Sequence, residues 1–477
     1  MSTTGQSTTP AAEDQAPAAE ANATTNRRQP FPQGFLDTIS TGWAERPDAT
    51  PPQREQAAYA ARRRAAVSAA FPGKRLVVPA GEVKVRSNDT DYPFRAHTAF
   101  THLTGWAADS EPGAVLVFEP RGDEGHEVTL FFRERADRTT AEFYSDASIG
   151  EFWIGPRPAL AGVEADLGIA TQHISAFEAH DDDLVVDIDA DLTRFVSELR
   201  LVKDDYEIAQ MTLAVDVTAR GFDDIVAELP RIIAHPRGER IVEGVFHLRA
   251  RSDGNWEGYD TIAASGPHAC YLHWTRNDGP VVPGDLILVD AGVEVDSLYT
   301  ADITRTIPVS GTFTPTQRMV YETVREAADA AFAAARPGVK FRSVHDAAMQ
   351  VIATRVAEWG LLPVTAAEAL DPEAGGQHRR YMVHGTSHHL GIDVHDCAQA
   401  RREMYYDGEL APGMVFTIEP GLYFQIDDQT VPEEFRGIGV RIEDDILMTA
   451  DGPVNLSAAI PRTADEVEAW VARGRTQ

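Results

Sequence analysis

A cluster of histidines, His384, His388, His389 and His395, falls within the single stretch VHGTSHHLGIDVHD at 383–396. Two isolated acids precede it in strand-like runs, Asp290 in LILVDAG and Asp302 in YTADITRT. Two glutamates follow in similar runs, Glu419 in FTIEPGLY and Glu443 in VRIEDDILM. An ionised carboxylate on a buried strand is costly unless it is paired or bound to metal. Four such strands and one histidine cluster therefore point to an oxygen-rich metal centre with a single imidazole ligand.

The elements that must position these groups repeat a grammar of helices followed by acid-bearing strands. Near Lys203, Asp204 is placed to cap a helix with Glu207 reaching back. Ile208, Met211, Val215, Phe222, Ile225 and Leu229 then follow a helical period until Pro230 stops it. A second helix is expected at 238–252, then the strands of Asp290 and Asp302. The echo has helices at about 316–336 and 343–359, then the strands with His388, Glu419 and Glu443. Two similar halves closing on a shared sheet would bring all five side chains to one internal site.

Strand alternation makes this geometry demanding. A two-residue turn at Asp296-Ser297 would set Asp290 opposite Ile303 and leave Asp302 on the other face. A three-residue loop at 295–297 would set Asp290 directly across from Asp302. Because a one-residue slip flips every side chain, the spacing predicts an odd-length loop or a bulge there.

Composition narrows the classes. With 477 residues, two domains are the natural prior. A formal net charge of −31 argues against nucleic-acid partners and anionic membrane surfaces, both of which want a basic face. No apolar run approaches the roughly 18–20 residues that span a bilayer, and the opening MSTTGQSTTPAAEDQ lacks the basic and apolar regions of a secretory signal. Cys270 and Cys397 are the only cysteines, too few for a disulfide framework or thiolate zinc finger and suited to a reducing cytosol. The expectation is an acidic cytoplasmic protein. By pattern, residues 1–49 read as a flexible tail, with QPFPQGFLDTISTGW apolar enough to dock. Residues 50–199 form a smaller α/β domain with strand-like RLVVPA, GAVLVFEP, EVTLFFR and LVVDID, and residues 200–477 carry the acids and histidines.

Taken together, DAG…TADITRT, HGTSHHLGIDVHD, FTIEPGLY and RGIGVRIEDD resemble the proline-specific metallopeptidases of the pita-bread fold, the Xaa-Pro aminopeptidases (aminopeptidase P) of peptidase family M24. The resemblance runs from about Gln53 and includes KVRSNDTDYPFRAHTAF in the amino-terminal domain. The leading tail exceeds the family core, and the aspartate spacing is a residue longer than in its best-known members. The implied fold is α/β (α+β), a carboxy-terminal pseudo-two-fold pita-bread catalytic domain preceded by a smaller α/β domain.

Carried over residue by residue, the resemblance implies two divalent ions held by Asp290, Asp302, His388, Glu419 and Glu443. Asp302 and Glu443 would bridge, Asp290 would bind one ion, and His388 and Glu419 the other. Such ligands suit Mn²⁺ first, with Zn²⁺, Co²⁺ or Fe²⁺ as alternatives. A water between paired ions is acidified and the scissile carbonyl polarised, with Glu419 placed to shuttle the proton. His395 resembles the residue that steadies the oxyanion, while His384 and His273 (in CYLHWT) resemble residues lining the proline and the scissile amide. Arg441, Tyr259, Tyr423 and Asp89 match positions near the site, and Trp153 resembles an aromatic offered to a neighbouring subunit. The same histidines also fit ordinary hydrogen-bonded core positions. His389 should point away from the site, and His345 and His378 are expected on polar surfaces.

The implied activity is release of the first amino acid from peptides with a penultimate proline. Prolidase action on X-Pro dipeptides is the nearest alternative, and a catalytically silent peptide- or protein-binding module a remoter one. The resemblance also implies a homodimer or homotetramer.

Overall fold

The apolar runs of the first two hundred residues build a five-stranded sheet. In the computed structural model, which describes residues 31–47, 50–88 and 90–474, its order is Ala170–His173, His126–Phe132, Val115–Pro120, Leu76–Pro79, Leu184–Val185. The three central strands pair antiparallel and both edge strands pair parallel. The LVVDID run contributes only Leu184–Val185, because Asp187 turns the chain with φ 70°.

Packing divides the described residues into two compact units. The smaller draws on the described residues within 31–47, 82–94 and 134–159. Within it, Phe31 and Phe35 stack on each other at 4.7 Å and meet the edge of Tyr144, while Trp43 meets Phe143 at 5.6 Å. The described part of QPFPQGFLDTISTGW, from Phe31 onward, thus docks on its own chain. The Asp89 position lies outside the described residues.

The larger unit, from the described residues within 50–81, 95–133 and 160–474, holds the five-stranded sheet and the helix–strand repeat. Asp204 and Glu207 form a reciprocal capping box that starts the helix Asp205–Ala227. Met211, Val215, Phe222 and Ile225 line its buried face. The helix ends before Pro230, which sits in the first turn of the short helix Leu229–Ala234 because a proline there sacrifices no hydrogen bond. Helices Gly238–Asp253, Pro315–Ala334 and Arg342–Glu358 occupy the segments expected to be helical.

Two antiparallel three-stranded sheets carry the acids. One has the order Ile303–Pro308, Leu286–Ala291, Ile262–Ser265, and the other Val415–Ile418, Asp444–Thr449, Gly452–Asn455. They join where the Glu443 N–H donates to Thr304 O at 3.1 Å and the Arg441 N–H donates to Thr306 Oγ1 at 3.2 Å.

The hairpin has the odd-length loop that strand alternation requires, one residue later than 295–297. Val295 N–H donates to Tyr299 O at 3.0 Å, leaving Asp296, Ser297 and Leu298 as the loop, with Leu298 at φ 66°. Three-residue hairpins commonly end on such a left-handed residue. The register consequently pairs Asp290 with Thr304 rather than with Asp302. Asp302 lies on the same face, one diagonal step away.

Candidate metal centre and active site

The second half repeats this diagonal. Thr417 N–H donates to His388 O at 2.9 Å and Glu419 N–H to Thr386 O at 2.8 Å, so His388 faces Thr417 and Glu419 lies two residues along on the same face. Ile418 pairs with Asp444; carried one residue on, that register sets Glu419 across from Glu443.

Oxygen and nitrogen atoms of Asp302, His388 and Glu443 come within 4.8 Å of one another. These three line a cavity of about 530 Å³ together with Asp290, Glu419 and His384. Also on its wall are His273, His395, Tyr259 and Arg441. His388 Nδ1 lies 3.2 Å from the carbonyl of His389, which leaves Nε2 facing Asp302 at 3.2 Å and Glu419 at 3.8 Å. A backbone acceptor at one ring nitrogen orients the other for coordination.

Burial is the dominant electrostatic fact. It pushes the Glu419 carboxyl up to about 7, and lifts Asp290 above and Glu443 well above the usual carboxylate range, with the neighbouring carboxylates adding to the effect. His388 moves the other way: burial opposes its charge, but the Asp302 hydrogen bond and nearby carboxylates raise it to about 9. Burial holds His384 down to about 3, with the Arg441 charge assisting, and also lowers His395, which stands edge-on to His388 at 4.4 Å.

Cations and donors surround the acids. Arg441, 4 % exposed, pairs with Asp290 through its guanidinium, donates to Thr304 Oγ1 at 3.1 Å and reaches the Tyr423 hydroxyl at 3.1 Å. The Tyr423 hydroxyl also meets His384 Nε2 at 2.8 Å. Tyr259 OH lies 2.7 Å from Asp290 Oδ1 and 2.5 Å from Asp302 Oδ1. Thr304, which sequence reading passed over, donates to Glu443 Oε2 at 2.7 Å. Its signal was its position two residues after Asp302 on one strand face. Asp445 Oδ2 accepts from the Asp302 N–H at 3.1 Å.

The residues present fit a divalent cation. Glu443 Oε1 is buried without a hydrogen-bond partner, which costs about 1–3 kcal/mol or more for a polar atom. The clustered donors are carboxylate oxygens and one imidazole nitrogen, the set that Mn²⁺, Zn²⁺, Co²⁺ or Fe²⁺ accepts.

Three of the other histidines differ in their surroundings. His389 faces away from the cavity and packs on Phe341 and Tyr405, each at 4.6 Å. His345 and His378 do not lie on polar surfaces. His345 is half-buried with Nδ1 2.9 Å from Thr386 Oγ1, and His378 is 5 % exposed. Helix packing draws both inward, a tertiary effect with no local signature. Trp153, in the smaller unit, is 56 % exposed.

The fold and the centre together define a metallopeptidase. The model of metallopeptidase family M24 matches residues 209–450, and that of the aminopeptidase P N-terminal domain matches residues 59–187. Xaa-Pro aminopeptidase 1 of Streptomyces coelicolor is 50 % identical over 460 residues, covering 92 % of each chain. The Xaa-Pro aminopeptidase of Escherichia coli is 33 % identical, covering 87 % of this chain and 98 % of its own. Among solved structures, Pseudomonas aeruginosa aminopeptidase PepP superposes with a TM-score of 0.77 at 31 % identity, covering 89 % of this chain and all of its own. Zinc-substituted Escherichia coli aminopeptidase P in complex with product gives 0.75 at 31 % identity, covering 88 % of this chain and 99 % of its own. The chain belongs to metallopeptidase family M24, with the amino-terminal domain and pita-bread fold of the Xaa-Pro aminopeptidases, and the family implies divalent metal ions.

Proposed function

We propose that the chain is a metal-dependent aminopeptidase that hydrolyses the bond between an amino-terminal residue and a penultimate proline. The observation that carries this reading is the convergence of buried carboxylates and one imidazole on a cavity that also holds His273, His384 and His395. Asp290, Asp302, His388, Glu419 and Glu443 would hold two divalent ions, Mn²⁺ first. Such ions polarise a carbonyl and activate water at neutral pH.

The remaining chemistry falls to side chains. Glu419, on the cavity wall, accepts a proton from the attacking water and passes it to the departing nitrogen. His395 faces the oxygen on which charge develops and steadies it. His384, held by the Tyr423 hydroxyl, and His273 flank the proline ring and scissile amide. An X-Pro bond is a tertiary amide with no N–H and a fixed φ beyond it. Peptidases that grip the scissile N–H handle it poorly, whereas a cavity shaped for the ring does not depend on that hydrogen. The substrate ammonium approaches the Asp290 side, which favours an exopeptidase mode.

The domain limits we propose are 1–49, 50–199 and 200–477, supported by family matches that fall inside the last two. A cytoplasmic homodimer or homotetramer completes the reading. No helix among the described residues is long and apolar enough to cross a membrane.

Chelated protein assayed on an X-Pro-X tripeptide beside an X-Pro dipeptide, with and without Mn²⁺, tests the proposal. Metal-restored cleavage of the tripeptide is expected. Cleavage of the dipeptide alone would make the chain a prolidase, and hydrolysis indifferent to metal would overturn the mechanism.

A further inference from the structure

We infer that Glu239, which touches no candidate metal ligand, is the positioning residue for the cavity wall that bears His273. It rides in the first turn of the helix Gly238–Asp253 and is 0 % exposed. Its carboxylate gathers four donors from one loop. Oε1 accepts from the Ser265 N–H at 2.8 Å and from His268 Nδ1 at 2.7 Å. Oε2 accepts from the Gly279 N–H at 2.7 Å and from Trp274 Nε1 at 3.0 Å. Ser265 and Gly279 bracket the first part of the connection to Leu286, and His268 and Trp274 stack within it at 3.9 Å. Between those anchors lie Leu272, His273 and Thr275, all on the cavity wall. The chain even leaves room for the carboxylate: a Cβ on Gly279 would meet Glu239 Oε2 at 2.9 Å and the His268 ring at 2.7 Å.

The chemistry requires a carboxylate. An amide of the same shape has one acceptor oxygen, and its NH₂ would face a backbone N–H in either orientation, at Ser265 or at Gly279. Glu239→Gln therefore keeps the volume and breaks one end of the loop. Charge-assisted bonds of this kind are roughly twice as strong as neutral ones, which is how one side chain can set the path of a loop carrying no regular strand.

The inference deepens the hydrolytic reading above and is read out through it. Wild type, Glu239→Gln, His273→Ala and the double variant are compared on an X-Pro-X tripeptide with Mn²⁺, alongside bound-metal content and, in the diamagnetic Zn²⁺-loaded protein, the His273 ring NMR resonance. Glu239→Gln is expected to lower kcat/KM by about 10–100-fold, the scale on which a misplacement of about 1 Å acts, with metal content unchanged and the His273 resonance shifted. In the His273→Ala background the same change should cost less than about twofold, because coupled residues are non-additive. Equal fold-losses in both backgrounds, or an unmoved His273 resonance, overturn the inference whatever the activity. A wild type inert on the tripeptide overturns only the functional reading, since the resonance still reports the loop. Should Glu239→Gln fail to fold, Trp274→Phe removes one donor while keeping the stack on His268. It should show a smaller loss with the same non-additivity, and additivity there would overturn the inference.

Discussion

Among the described residues, Arg441 is the one guanidinium on the wall of the cavity lined by the four candidate carboxylate ligands, and its fork does three things at once. It pairs with Asp290, donates to Thr304 Oγ1 and reaches the Tyr423 hydroxyl that in turn meets His384. One planar group thereby ties a candidate metal ligand to a candidate substrate-lining histidine. Lysine keeps the charge and loses the fork. Arg441→Lys should weaken metal affinity and lower kcat by about 10–100-fold, the range for groups that orient ligands, as measured by metal titration and steady-state kinetics on a tripeptide. Unchanged affinity would mean that Asp290 is held adequately by Tyr259 alone.

At the scale of the element, the helix Asp205–Ala227 begins on a charge cluster as well as a cap. Glu207, 2 % exposed, accepts from the Asp204 N–H at 2.9 Å and from Tyr299 OH at 2.8 Å, and lies 3.2 Å from the Arg63 guanidinium. Burial alone would raise its carboxyl, but the His102 ring 3.4 Å away and the charges of Arg63 and Lys203 bring it down to about 2. A carboxyl lowered on folding stabilises the fold above its unfolded value and loses that contribution as pH falls. Glu207 should therefore contribute roughly 3 kcal/mol that disappears between about pH 4.5 and pH 2. Denaturant titrations across that window should show the loss, and Glu207→Gln should flatten it while lowering stability at neutral pH. A second buried cluster acts on the turn that closes the histidine stretch: Arg200 Nε and Lys203 Nζ hold the Asp396 carboxylate at 2.9 and 3.2 Å, beside His395. Arg95 and Thr98 hold Ile392 and Asp393 of the same turn.

For the whole molecule, the net charge of −31 and the acids gathered in one cavity make the unliganded protein electrostatically unfavourable, and cations that bind only the folded state offset this. At metal concentrations about 100-fold above Kd the gain is roughly 2.7 kcal/mol per site. Chelation should consequently lower Tm by about 5 °C or more and abolish tripeptide hydrolysis, and Mn²⁺ should restore both. Calorimetry with and without chelator checks this; identical melts would mean that the carboxylates are satisfied without a cation.

Much of this was legible in the residues. The five candidate ligands stand in short phrases whose order and spacing carry the family resemblance, and helical periodicity located the long helices because their apolar faces repeat locally. The Asp204–Glu207 box was readable for the same reason. Parity across the hairpin also followed from alternation, since an acid pair sharing an ion must share a face. Register did not: whether the loop begins at Val295 or Asp296 depends on Leu298 adopting a left-handed backbone inside a packed core. The inward positions of His345 and His378, the role of Thr304 and the four-donor grip of Glu239 join residues far apart in the chain. Local pattern determines which segments become helix or strand and which chemistries are available. Only tertiary packing decides which buried polar atoms meet, because their pairing is set by desolvation and geometry between distant segments.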